Sequence, residues 1–327
     1  MYRLTCDITI STQSGRIRFD KVTAVSISRS IDKLTDTAVV TLPRRIKWKN
    51  VESNPIHRGD PISISLGYDG DNHIAFVGYV AKVGAQSPMT IQCSDPMMNL
   101  RVRNAKKAAY KSTDIKTMLT DQGLNPVVLG TQKIGSYRVC CNSIAELLDS
   151  LKKYNIRTFY RLGSKSEPVL YSGLAIRPDD IRTFHFDDHA NIASAASLDY
   201  SATGDVRFLV KVTSHQEVKE AGKNKPKNKK VEVKYGDNDG EIRSFNVIGM
   251  SEAQMKTYAQ QQYEKLKQGG LQGSFTVFGG ELIDKYDYVS VTIEGRQTGT
   301  YQVDKNEITY GDGGFRQKIT VGTRVSD

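Results

Sequence analysis

The sequence predicts a mainly β chain with an α+β insertion: two similar small β-barrels flanking an inserted domain of helices and short strands. Three observations lead there. In Gly59–Val83, Ile62, Ile64 and Leu66 alternate with Ser63 and Ser65, Asp69-Gly70 offers turn chemistry, and Ile74-Ala75-Phe76-Val77 begins a return strand. That is an amphipathic β-hairpin, and its pattern returns at Tyr286–Val303. Between the two, strand alternation gives way to helical spacing, as in Ile144, Leu147, Leu148 and Leu151.

The two β patterns align in order. Asp60 falls on Asp287, Ile62 on Val289, Ile64 on Val291 and Leu66 on Ile293. Gly78-Tyr79-Val80 falls against Gly299-Thr300-Tyr301-Gln302-Val303. Upstream, Val39-Val40-Thr41-Leu42 answers Ser274-Phe275-Thr276-Val277, and downstream Ile91-Gln92-Cys93 answers Ile319-Thr320-Val321. Alternation alone is common to all half-buried hairpins. A shared order with near-equal spacing over four strands points to duplication.

Taken in order, residues 1–103 form the first β-unit. Its strands are the N-terminal segment, Phe19–Ser30, Thr37–Leu42, the hairpin, and Met89–Cys93, with a polar connection from Pro43 to Arg58. Residues 104–191 form the insertion. Ser112-Thr113-Asp114 caps a short helix carrying Ile115, Met118 and Leu119 and ended by Gly123, and Ser143-Ile144-Ala145-Glu146 is a capping box. Strands at Arg157–Tyr160 and Val169–Ser172 follow. Residues 192–327 form the second β-unit. Val206–Val212 and Val231–Tyr235 are paired strands across a lysine-rich loop at 219–230. A second capping box, Ser251-Glu252-Ala253-Gln254, opens a helix over 251–267, and the echoed strands end the unit.

The chain has 327 residues, 38% hydrophobic, and no apolar run near the roughly 18 residues a membrane helix needs. Met1–Ile8 reads as a strand rather than a leader, so a soluble chain made in a cytoplasm is expected. Cys6, Cys93, Cys140 and Cys141 offer no disulfide framework and no C-x-x-C pair. The net charge of +10 gathers partly at Lys219, Lys223, Lys225, Lys227, Lys229 and Lys230. No aromatic residue interleaves these lysines for base stacking, and the composition is that of a solvated loop.

Motifs for catalysis are sparse. No phosphate-binding glycine loop, Gly-x-Ser-x-Gly elbow or metalloprotease histidine motif is present. His185 and His189 are four apart, yet Phe184 and Phe186 mark a strand, on which that spacing does not suit chelation; no metal or cofactor is expected. Glu281 and Asp284 are an acidic pair with no reason in the sequence to face each other across a cleft.

The ordered motifs carry a resemblance. They are Phe19-Asp20-Lys21-Val22 leading to Asp36-Thr37-Ala38-Val39-Val40-Thr41-Leu42-Pro43, then Gly59–Val80, then the C-terminal helix followed by Gly273–Gly279, Asp287–Ile293 and Gly299–Val303. With them the chain resembles the central baseplate hub proteins of phage tails, the superfamily that includes late control protein D and the hub portion of VgrG in type VI secretion. The resemblance implies two like barrels per chain and a homotrimer, hence six like barrels about one axis. Such a ring adapts a six-fold tail tube or distal tail protein hexamer to a three-fold spike, and closed cyclic symmetry is how such rings form. It further implies a structural, non-enzymatic role in a virion tail, baseplate or contractile injection particle assembled in a host bacterium's cytoplasm, without membrane insertion. A tape-measure protein and DNA in the lumen are the other partners implied. Only six residues follow Val321 of the last echoed strand, so the spike is expected to be a separate polypeptide. Tyr68, Phe76, Tyr79, Tyr288 and Tyr301, on barrel strands, are the candidate interface residues, and Lys223, Lys225, Lys227, Lys229 and Lys230 the candidate basic loop. Two alternatives stay open: a glycan-acting tail-tip enzyme using Glu281 and Asp284, and a basic nucleic-acid-binding β-protein.

Overall fold

A computed structural model describes residues 2–43, 54–129, 133–154, 156–163, 166–173, 181–186, 191–201, 207–218, 227–248, 250–267, 269–293 and 296–325. The first unit contains β1 (Leu4–Thr12), β2 (Gly15–Phe19), β3 (Ala24–Ser30), β4 (Thr37–Thr41), β5 (Pro61–Tyr68), β6 (Asp71–Val83) and β7 (Thr90–Ser94). In the sheet they run β3-β4-β7-β6-β5-β1-β2. Alternation decides which face is buried: Ile62, Ile64 and Leu66 point into the core while Ser63 and Ser65 are half-exposed. Asp69 and Gly70 take φ of 53° and 95°, the two positive values a two-residue type I′ hairpin needs, and Tyr68 pairs with Asp71 across the turn.

The middle of the chain holds α1 (Met97–Val102), β8 (Ala108–Asp114), α2 (Ile115–Asp121), β9 (Val127–Leu129), β10 (Lys133–Val139), α3 (Ile144–Leu151), β11 (Arg157–Leu162) and β12 (Pro168–Gly173). Asp114 caps α2 by accepting from the Thr117 N–H at 2.8 Å, and Ser143 caps α3 by accepting from the Glu146 N–H at 3.2 Å. Ile115, Met118, Leu119, Ile144, Leu147, Leu148 and Leu151 share one apolar core.

The last part comprises β13 (Ile181–His185), β14 (Ile192–Ser201), β15 (Phe208–Val218), β16 (Lys227–Gly236), β17 (Glu241–Ile248), α4 (Glu252–Lys267), β18 (Gly270–Phe278), β19 (Tyr288–Ile293), β20 (Arg296–Gly311) and β21 (Gly314–Val325). Six of these strands run β14-β18-β21-β20-β19-β13, the same order as β3-β4-β7-β6-β5-β1. The registers agree as well. Val40 lies opposite Ile91 as Phe275 lies opposite Ile319, matching the sequence alignment.

The turn entering each hairpin repeats in detail. Asp60 accepts the His57 N–H on its carboxylate, and Asp287 accepts the Asp284 N–H in the same way, at 2.8 and 2.6 Å. The N–H of Val80 donates to the Asp60 carbonyl, and that of Val303 to the Asp287 carbonyl. Gly59 sits at φ 96°, and the equivalent position is occupied by Tyr286 at φ 69°. A tyrosine in the left-handed region is held there by packing: its ring lies 4.5 Å from that of Phe159.

The two units are not separate closed barrels. Among the described residues the ladders do not close, and both units belong to one 13-stranded sheet. The reason is the length of β20. Its first half pairs with β19, and its overhang, Lys305–Gly311, pairs with β3. The tip of the β20–β21 hairpin then carries Ile308, Tyr310 and Phe315 into the first unit's core. A second core, with Phe275, Val289, Val291 and Val303, lies inside the second unit.

Part of the lysine-rich segment is strand where a loop is expected. Lys227, Lys229 and Lys230 belong to β16, which pairs with β15, whereas Lys223 and Lys225 lie outside the described residues. β15 further pairs in parallel with β17, and α4 covers the sheet with Met255 and Ala259 buried against Val210, Val212 and Val233. Ser251 and Gln254 form the predicted capping box on α4, at 3.3 and 2.8 Å.

Candidate functional site at the junction of the two units

The most unusual chemistry lies where the three parts of the chain meet. Lys285, in the β18–β19 connection, is 1% exposed, and its Nζ lies 2.7 Å from Oδ1 of Asp36, just ahead of β4. Asp95, just after β7, accepts the Asp36 N–H on Oδ2 and the Met97 N–H on Oδ1, each at 3.1 Å. Arg29 of β3 reaches Asp284 at 3.5 Å, and Arg161 of β11 pairs with both Asp284 and Asp287. Arg29 and Arg161 come from the first unit and the middle; Asp284, Lys285 and Asp287 come from the second unit. One charged cluster therefore ties all three together.

The cluster holds four carboxylates against three cations. Burial raises the Asp36 carboxyl, against the pull of Lys285, and burial together with the Asp36 charge pushes Asp95 up to about 7. Burial likewise raises Asp287, although Arg161 opposes the shift. Beside the cluster lies a void of about 30 Å³, lined in part by Arg29, Asp36, Asp95 and Arg161, with room for a water and not for a substrate. This arrangement suits a rigid joint.

The sequence-predicted residues do not converge on this joint. Phe76 is buried in the first core, and Tyr301 is 1% exposed in the second, its hydroxyl accepting the Leu271 N–H at 2.9 Å. Both pack in a core, because their strands turn these positions inward. Tyr79 and Tyr288 are half-buried on β6 and β19. Tyr68 bridges the units, donating from its hydroxyl to the Phe315 carbonyl at 3.0 Å. Replacing Tyr301 with Phe is expected to cost about 1–3 kcal/mol in urea unfolding, since it strands a buried N–H. The mass in solution should stay the same, whereas an interface role for Tyr301 would require it to change.

Glu281 and Asp284 are not a paired acid and base. Glu281 is exposed and pairs with Arg182 at 3.3 Å, whereas Asp284 belongs to the buried joint. His185 lies in β13 as its phenylalanine neighbours predict, and His189 is outside the described residues. Among the described residues no group of three potential metal ligands gathers. The joint itself escaped sequence reading. Its one local sign is the acidic-basic run Asp284-Lys285-Tyr286-Asp287 between two strands.

No family model and no curated protein matches this sequence. Solved structures do. A tail protein from Neisseria meningitidis superposes with a TM-score of 0.66 at 14% identity, over 97% of this chain and 96% of that one. The chain has the fold of a phage-type tail protein. The 43 kDa tail protein of prophage MuSo2 from Shewanella oneidensis shares this tail-protein fold, with a TM-score of 0.59 at 16% identity over 97% and 98% of the two chains. So does the E. coli c3393 protein, a type VI secretion component described as structurally similar to the T4 tail proteins gp27 and gp5. Its TM-score is 0.56 at 7% identity, over 94% of this chain and 74% of that one.

Proposed function

We propose that the chain is a structural hub of a phage tail, baseplate or related injection particle, and that three copies assemble into a ring. The observation that carries the proposal is the duplication: two six-strand units with one strand order and the same turn hydrogen bonds. Three such chains place six like units about an axis, so one face meets a six-fold tube or distal tail protein and the other a three-fold spike. The buried joint fits this role, because a ring alternating two units per chain needs a fixed angle between them. The work is binding, with no catalytic step, and a tape-measure protein and DNA would share the lumen.

The test is the mass in solution by light scattering at high protein concentration. The proposal expects three chains of 36.4 kDa per particle. A monomer that stays monomeric with purified tube and spike proteins present would overturn it.

A further inference from the structure

The two units also differ where β4 leads to β5 and β18 leads to β19. By ladder register Leu42 matches Val277, and by the shared turn Ile56 matches Ile283; all four are buried. Thirteen residues (43–55) separate the first pair and only five (278–282) the second. The shorter connection begins with Phe278, which is 53% exposed, followed by Gly279 and Gly280. Gly279 has no room for a side chain, since a Cβ would meet the Phe315 ring at 2.1 Å; Gly280 faces open space.

Beside this connection lies a cleft of about 880 Å³. Phe184, Val277 and Ile283 line it from the second unit and Tyr68 from the first, so it runs along the seam between them. Its volume is near the upper end for ligand pockets, and its lining is largely apolar, as such sites are. Two arginines border it. Arg182 is already paired with Glu281. Arg316 lies over the Phe278 ring at 4.4 Å and donates to its neighbour's carbonyl, with no carboxylate within 4 Å among the described residues.

We propose that this cleft docks a segment of another protein carrying an apolar anchor beside a carboxylate. The anchor covers the apolar floor that the short, glycine-containing connection leaves open, and the carboxylate meets Arg316. A second copy of this chain fits less well, because it brings a net charge of +10 to an arginine-bordered cleft. The inference does not depend on the ring: a monomer would dock the same segment.

The probe is a fluorescein-labelled, end-blocked hexapeptide, Glu-Leu-Phe-Glu-Leu-Asp, with Lys-Leu-Phe-Lys-Leu-Lys as its counterpart, titrated by anisotropy against the full chain. The acidic peptide should bind at least about tenfold tighter than the basic one, the size of one well-placed charge contact. Arg316→Glu should reverse that order. Gly280→Trp, which fills open space and should leave circular dichroism unchanged, should abolish binding of both. Equal affinity for the two peptides, acidic-peptide binding that survives Gly280→Trp, or no saturable binding would each overturn the proposal. So would self-association by light scattering that Gly280→Trp removes, because the occupant would then be a second copy.

Discussion

Replacing Lys285 with methionine is expected to destabilise the chain by about 3–5 kcal/mol, the usual result of removing one partner of a buried ion pair. The ammonium is almost wholly buried and its contact with Asp36 is 2.7 Å, so methionine removes that carboxylate's direct ion-pair partner in a site that already resists charge. The loss should be smaller at pH 5 than at pH 8, because the stranded Asp36 can then take up a proton. Changing both partners together, Asp36→Leu with Lys285→Met, should recover much of the loss, since apolar pairs of similar volume often replace buried ion pairs at little cost. Urea unfolding of the two variants reads this directly. Arg18 with Asp7 is the control: that pair is exposed, and solvent leaves it little to lose. An effect of Lys285→Met no larger than that of Arg18→Met would show that the joint does not hold the units together.

The second large effect is on the pH dependence of stability. Asp95 is pushed up to about 7 by burial and then by the Asp36 charge, against about 3.9 for an unfolded aspartate. The folded state therefore keeps a proton that the unfolded chain has lost. That contribution is complete below about pH 4 and disappears as the pH rises toward about 7. At roughly 1.4 kcal/mol per unit, Asp95 alone sets an upper limit on the order of 4 kcal/mol. Asp36 and Asp287, also raised mainly by burial, slope the same way. The exposed cap carboxylate of Asp114, lowered by the Thr117 N–H, slopes the other way but is screened by solvent. The chain should thus unfold at lower urea at pH 8 than at pH 5, and Asp95→Asn, which carries no charge at either pH, should narrow that gap. A wild-type chain more stable at pH 8 would contradict the assignment.

Local rules made much of this fold legible. Asp69-Gly70 announced its turn because two positive φ values suit few residue pairs, and the Ser143 and Ser251 caps formed because their hydrogen bonds span only three residues. The duplication was visible because each unit buries one face of its strands, and alternation records that face. The fusion of the units was not visible. The pairing of β20 with β3 joins residues nearly three hundred positions apart, and no local pattern encodes that choice. β13 and β17 join parallel ladders, whose partners are far apart in sequence and leave no hairpin signal. Nothing local marks Lys285 and Asp36 as buried, since charged side chains are usually exposed; only tertiary packing buries them. Phe76 and Tyr301 looked like candidate contacts for the same reason in reverse, since a strand tyrosine or phenylalanine suits a core and an interface equally well.

The proposal that two units per chain become six in a ring is tested most directly by averaged electron-microscope images of the purified particle, viewed down its axis. The expected image is three-fold, with six lobes of similar size alternating around a central channel. A particle with one lobe per chain, or with no rotational symmetry alone or with its tube and spike partners, would contradict it.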